Sequence, residues 1–277
     1  MGKLRRSQIT GMNFHYLHYP LNYFLDAMVK YEFEKIELWG AAPHLYVEDL
    51  SLAEIHAIKR GIDRRKLEVV CFTPEQCMYP INLAAKESVI RKRSVAYFKK
   101  SIDVAHELEA PMVLVTAVWG YRNESRQEAW NRTHDSLEQL TAYAEKQGIV
   151  LTLEPLQKIE SNLITTLPEL KEMLRSISSP HIKGMVDTIP LAVEGEELAS
   201  YFDQLQDDLV HIHFIDGNPG GHLAWGDGSL PLEGYLDTLG DYNYNRALTL
   251  EFTSSQYLRD PNEAIEKSLQ CLAPYLV

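Results

Sequence analysis

Four residues able to bind a cation or move a proton stand at the ends of short apolar runs in the second half of the chain. Ile149-Val150-Leu151-Thr152-Leu153 delivers Glu154 and is stopped by Pro155. Ile182-Lys183-Gly184-Met185-Val186 ends in Asp187, Leu209-Val210-His211-Ile212 in His213, and Ala247-Leu248-Thr249-Leu250 in Glu251. A single acid at a strand end reads equally well as half of a structural salt bridge. Four in succession do not, because polar groups converging on one rim without a cation would repel one another or stay unsatisfied. Three carboxylates and one imidazole suit a divalent ion such as Mn²⁺, Mg²⁺ or Co²⁺. Alternation along the third run puts His211 and His213 on one face, so spacing alone leaves both open. His213 lies nearer the carboxyl end and is expected to reach the rim, with His211 hydrogen-bonded one layer deeper.

These endpoints recur at intervals of about 26 to 38 residues, the length of a strand plus a returning helix. The first half has the same rhythm. Residues 7–12 read as a strand, with Asn13-Phe14-His15 in the loop after it, and Leu21, Leu25, Met28 and Val29 fall at helical spacing. A second strand, 35–39, ends at Gly40. Ser51 with Glu54 forms a capping-box pattern that starts a helix over 52–65. A third strand, 67–72, leads into the long loop from Thr73 to Asn82, then a helix over 84–108. A fourth strand, 112–117, precedes a helix over 127–147 that Gly148 closes with a left-handed cap. Helices near 168–176, 196–205, 232–239 and 262–275 follow the later strands. Eight strands and eight helices predict an α/β fold, a closed (β/α)8 TIM barrel spanning 1–277 as one domain, with its active groups at the carboxyl ends of the strands. A doubly wound open sheet is the runner-up, but its Gly-rich turn after the first strand is missing.

Composition narrows the partners. With 39 Asp and Glu against 27 Lys and Arg, the formal charge of -12 leaves no broad basic surface for phosphate backbones, so nucleic acid is not expected. Cys71, Cys77 and Cys271 show no metal spacing and are too few for a disulfide framework, which suits a reducing, cytoplasmic setting. The basic start, Met1 to Arg6, is followed by polar Ser7, Gln8 and Thr10 instead of the apolar centre of an export signal. No apolar run is long enough to span a membrane, so no membrane partner is expected.

Several segments together resemble a known family. They are Ile36-Glu37-Leu38-Trp39-Gly40 with Pro43-His44, Thr73-Pro74-Glu75 with Tyr79-Pro80, and Glu154-Pro155-Leu156 with Glu160-Ser161-Asn162. Met185-Val186-Asp187, His211-Ile212-His213, Leu250-Glu251 and the loop bearing His222, Gly226, Gly228 and Pro231 complete the set. They look like the xylose-isomerase-like barrels, and within those the ketose 3-epimerases, with the nonligand loops most similar to enzymes of glycated amino acids. The resemblance implies a metal held by Glu154, Asp187, His213 and Glu251: Mn²⁺ first, with Co²⁺, Ni²⁺, Mg²⁺ or Zn²⁺ as alternatives. It implies epimerisation at carbon 3 through a cis-enediolate, with Glu154 and Glu251 doubling as the acid/base pair on opposite faces.

It also implies a small sugar or glycated amino acid as substrate and association into homo-oligomers. Glu160 matches a family glutamate that contacts substrate hydroxyls, and His222 is expected to touch metal or substrate. Trp39, Trp119, Tyr79 and His15 are expected to line the pocket, with Glu37, Glu75 and His44 as further pocket residues, Glu75 facing a substrate ammonium. Two departures weaken a free-ketose assignment: the family's substrate-binding histidine is replaced by Pro190, and its arginine by Pro219. Rival readings are a free-ketose epimerase, a sugar isomerase, an inosose-type dehydratase, an endonuclease-IV-like nuclease and a noncatalytic sugar-binding barrel.

Overall fold

A computed structural model describes residues 4–277; Met1, Gly2 and Lys3, half of the basic start, lie outside the described residues. Eight strands close into a barrel in chain order: β1 (Ile9–Met12), β2 (Lys35–Gly40), β3 (Glu68–Pro74), β4 (Met112–Thr116), β5 (Val150–Glu154), β6 (Ile182–Asp187), β7 (Leu209–His213) and β8 (Leu248–Leu250). All neighbours run parallel, and β1 pairs β8 to complete the ring. The helices are α1 (Leu21–Lys30), α2 (Leu52–Asp63), α3 (Ser88–Glu107), α4 (Arg126–Gln147), α5 (Leu167–Ile177), α6 (Thr188–Glu194), α7 (Leu198–Leu205), α8 (Leu232–Asp241) and α9 (Pro261–Leu272).

Alternation along each strand sorts the side chains into two cores. Ile36, Leu38, Phe72, Val113, Val115, Leu151, Leu153, Val186, Ile212, Leu248 and Leu250 join the large cluster between sheet and helices. The intervening residues face the barrel axis. Apart from Met12 and Trp39, which cluster with Ala41, a small apolar group that includes Cys71, Leu114 and Met185 forms there. Beside it lies a fully buried polar set, Thr10, Glu37, Thr152, His211 and Thr249. A barrel interior this polar must be filled by hydrogen-bond partners, and that need shapes the site above it.

Local signals act as the sequence suggested at several points. Ser51 Oγ accepts from Glu54 N at 3.4 Å while Glu54 Oε2 accepts from Ser51 N at 2.8 Å, so the capping box starts α2. Gly148 closes α4 with φ +69, the conformation a side chain would resist. Most element ends shift by one to three residues, and two larger differences stand out among the described residues. α3 begins at Ser88 instead of residue 84, because Asn82 Oδ1 accepts from Ala84 N at 2.8 Å and holds the preceding turn open. A ninth helix, α6, fills the segment after β6; Pro190 sits in its first turn, where a proline's missing N–H has no helical partner to lose. Among the described residues, no helix is long and apolar enough to cross a membrane.

Candidate active site

The carboxyl ends of β5 to β8 place four side chains together. Asp187 and His213 are direct partners across β6 and β7. His213 pairs with Thr249 on β8, so Glu251, two residues beyond Thr249, projects to the same side. Glu154 ends β5 beside Thr116 of β4. One donor atom from each of Glu154, Asp187, His213 and Glu251 lies within 4.8 Å of the others. His213 Nδ1 is 3.1 Å from Glu251 Oε2, 3.5 Å from Glu154 Oε1 and 3.8 Å from Asp187 Oδ2.

Whether this set fits a divalent cation is tested by His213 itself. Its Nδ1 is buried and makes no hydrogen bond, although three carboxylate oxygens surround it. A buried imidazole nitrogen without a partner costs free energy. A cation among the four atoms removes that cost and the mutual repulsion of the carboxylates at once. Three oxygens and one nitrogen are the donor types a hard or borderline divalent ion prefers, so the residues fit.

Beneath the cluster lies a brace. Glu37 on β2 is completely buried; Oε1 accepts from His213 Nε2 at 3.1 Å, and Oε2 accepts from His211 Nε2 at 2.7 Å. Thr73 Oγ1 donates to Oε1 as well. An ionised carboxylate only accepts, so His213 Nε2 must carry a proton, and it is Nδ1, among the three acids, that would give up its proton and offer a lone pair to a cation. Burial alone would push the Glu37 carboxyl up, but the charges of His213 and His211 outweigh it and hold the group well below its ordinary range.

The other groups respond to burial and to one another. Burial raises the Glu154 carboxyl to about 7, against a smaller opposing pull from His213. Burial would also raise Asp187, yet His222 and His213 pull it below its ordinary value. His222 is raised to about 9, the carboxylates of Asp187, Glu251 and Glu154 overcoming its burial. It donates from Nε2 to Asp187 Oδ2 at 3.1 Å and lies 3.5 Å from Glu251 Oε2. The remaining oxygen of Asp187 accepts from Ile189 N at 2.7 Å and so caps α6; one carboxylate both starts a helix and faces the cluster.

A cavity of about 190 Å³ opens over the cluster, and Trp39, Glu75, Glu160, His222 and Pro190 line it together with Glu154, Asp187 and Glu251. Phe14 packs on Trp39 with ring centroids 4.6 Å apart, making an apolar wall. Trp39 Nε1 donates to Glu75 Oε2 at 2.9 Å and Met78 N donates to Oε1 at 2.8 Å, so the expected ammonium partner already serves as an internal brace. Glu160 Oε2 accepts from Gln157 N at 3.3 Å, and burial raises its carboxyl.

Several residues expected at this cavity are elsewhere. His15 is sealed between Tyr16 and Phe252, because residues 14–16 coil into a short 3-10 turn that swings the ring inward; burial lowers its pKa to about 3. Tyr79 and Trp119 line a neighbouring cavity. Glu37 is below the site, and His44 ties loops together through Asn13 and the Tyr19 carbonyl. Two contributors were not expected. Asp216 accepts from Gly226 N, Gly228 N and Leu230 N at 2.9 to 3.0 Å, folding the loop that presents His222. A Cβ on Gly228 would stand 2.4 Å from Asp216 Oδ1, so the loop needs glycine there. An Asp ahead of several glycines was the available signal. Gln76 is the second: buried, it accepts from Thr116 N and Oγ1 at 3.1 Å through Oε1 and has no acceptor for Nε2 among the described residues.

The fold and sequence both have known counterparts. Fructoselysine 3-epimerase of Shigella flexneri is 31% identical over 240 residues, covering 86% of this chain and 87% of the relative. D-psicose 3-epimerase of Ruminiclostridium cellulolyticum is 22% identical, covering 83% of this chain and 77% of the relative. The solved structure of 3-keto-D-glucoside 4-epimerase from E. coli superposes with a TM-score of 0.81 at 20% identity, covering 96% of this chain and 99% of that one. The xylose isomerase-like TIM barrel family matches residues 25–275, a stretch that contains seven of the eight strands and all four clustered side chains. This chain is therefore a member of the xylose isomerase-like TIM barrel family.

Proposed function

We propose that the protein is a divalent-metal-dependent epimerase that inverts carbon 3 of a ketose-type substrate, fructoselysine to psicoselysine being the reaction favoured by its relatives. It is an enzyme of the isomerase class, as the epimerases similar to it are. The observation that carries the finer reading is the meeting of Glu154 and Glu251 from well-separated strands of a closed ring, within one set of four donors.

Glu154, Asp187, His213 and Glu251 would hold the cation, Mn²⁺ by preference. When bound, it supplies Lewis acidity to a ketose's carbonyl and adjacent hydroxyl oxygens, which acidifies the hydrogen on the carbon between them. Inversion then requires one carboxylate to remove a proton from one face and another to return one on the opposite face. Glu154 and Glu251 are that pair, exchanging roles with the direction of reaction. In the metal-free protein burial raises the Glu154 carboxyl to about 7, so binding of the cation there would release a proton. His222 steadies Asp187, while Glu37 fixes the ring of His213. Trp39 and Phe14 present an apolar face to the sugar, and Glu160 reaches its hydroxyls from the opposite loop.

The test is incubation of the Mn²⁺-loaded protein with fructoselysine and with D-fructose in D₂O, following carbon 3 by NMR. Metal-dependent deuterium incorporation with appearance of the 3-epimer is expected. Incorporation at carbon 1, or loss of water with a new carbonyl absorbance, would move the enzyme to the isomerase or dehydratase reading; no exchange in either sugar would refute the proposal.

A further inference from the structure

The cavity over the cluster is too small for the whole of a glycated amino acid. At about 190 Å³ it falls short of the roughly 300 Å³ at which pockets for larger ligands begin, enough for the sugar but not for a sugar carrying a lysine. Gln76 and Cys77 form part of its wall, and the same two residues wall a second cavity of about 260 Å³ between the loops after β3 and β4 and the start of α3.

We infer that this second cavity binds the amino-acid arm of the substrate, with the free amide nitrogen of Gln76 donating to the ligand where the two cavities adjoin. The inference rests on the epimerase reading above. Gln76 carries it furthest: the side chain is 4% exposed and locked by Thr116 through Oε1, yet its Nε2 lacks an acceptor. That nitrogen is not sealed from solvent, and Gln76 lines both cavities, so a ligand there can supply the acceptor the protein does not. The chemistry of the second cavity matches a zwitterion on an aliphatic stem. Ile81, Ile90 and the ring of Trp119 offer apolar surface for methylenes.

At the rim, Arg93 donates from Nη2 to the Pro80 carbonyl at 2.6 Å and forms no ion pair among the described residues, leaving the rest of its planar fork for a carboxylate. Lys86 stands in the same wall with only a 3.7 Å approach to Glu124. Glu87, also lining it, accepts from Tyr121 through Oε1 and has Oε2 for an ammonium. A third cavity, along Trp119, Arg122 and Asn162, adjoins the site through Glu160 but has Arg122 as its one cation and serves as the control.

The experiment compares kcat/KM of the Mn²⁺-loaded enzyme on fructoselysine and on D-fructose for wild type, Arg93→Ala, Ile90→Trp and Arg122→Ala. Arg93→Ala and Ile90→Trp are expected to lower the fructoselysine-to-fructose ratio at least tenfold, mainly through KM, because the arm is bound alike in ground and transition states. Arg122→Ala should leave that ratio within twofold of wild type. Fructose-cadaverine, the substrate analogue without the carboxylate, should lose the advantage in wild type and show no further loss in Arg93→Ala. Equal effects on both sugars, or none, overturn the inference. If wild type exchanges no deuterium into either sugar, the epimerase reading fails; calorimetric Kd for fructoselysine then decides the arm, and values unchanged in both variants overturn it.

Discussion

Replacing Glu37 by Gln probes the brace under the cluster without touching Glu154, Asp187, His213 or Glu251. The volume is kept, but a carboxylate that accepts from His213, His211 and Thr73 becomes an amide with one acceptor and one donor. Whichever way the amide turns, at least one buried donor faces an N–H₂. If that donor is His213 Nε2, the ring is driven to carry its proton on Nδ1, where it blocks the lone pair aimed at Glu154, Asp187 and Glu251. Removing the carboxylate behind a metal-binding histidine costs about 10- to 100-fold in affinity, or roughly 1.4 to 2.7 kcal/mol. A further loss of about 1 to 3 kcal/mol in the stability of the metal-free protein follows from the unsatisfied donor. Calorimetric titration of the apo variant with Mn²⁺ reads the first effect, denaturant unfolding the second, and ¹⁵N NMR of the imidazoles reports the tautomer directly. A variant that folds, keeps His213 protonated on Nε2 and binds Mn²⁺ within twofold of wild type would refute the reasoning.

Three other perturbations follow from the same geometry. Asp216→Ala removes the acceptor of four loop amides, those of Gly217, Gly226, Gly228 and Leu230, and should lower kcat/KM at least tenfold by releasing His222, with the barrel's far-ultraviolet circular dichroism unchanged; retained activity would show that the loop holds itself. Adding Mn²⁺ at a hundred times its Kd should stabilise the protein by about 2.7 kcal/mol, a rise of several degrees in Tm that EDTA reverses; a Tm indifferent to both contradicts the cation site. Mn²⁺ affinity should fall as pH falls below about 7, by about tenfold per unit for Glu154 alone. The sign is set by its raised pKa: the metal-free protein holds that proton below 7 and a cation must expel it. His213, raised well above its ordinary value, adds a second proton to be displaced. A Kd flat between pH 5.5 and 7 would refute this linkage.

The reach of the sequence depended on whether a residue's role was set by its own strand or by the closing of the ring. Glu154, Asp187, His213 and Glu251 could be read because strand alternation and the stops after each run act locally, and the cluster follows once parallel strands are stacked in order. The family resemblance reached Glu160 and His222 in the same way, through loops tied to those strand ends. Glu37 also sits on a legible strand, yet its partner His211 is 174 positions away, so nothing nearby distinguishes a brace from a pocket residue until β2 and β7 face each other across the axis. His15 failed for the opposite reason. A histidine just past a strand looks like a loop ligand, and three residues of 3-10 turn were enough to rotate it into the core. Helix α6 was masked by Pro190, although its cap is Asp187, a residue already singled out for its charge. That dual use links fold to chemistry: a substitution at Asp187 would unseat the start of α6 as well as empty one corner of the cluster, so its effect on stability cannot be separated from its effect on the cation, whereas a change at Glu251, which caps no helix, can.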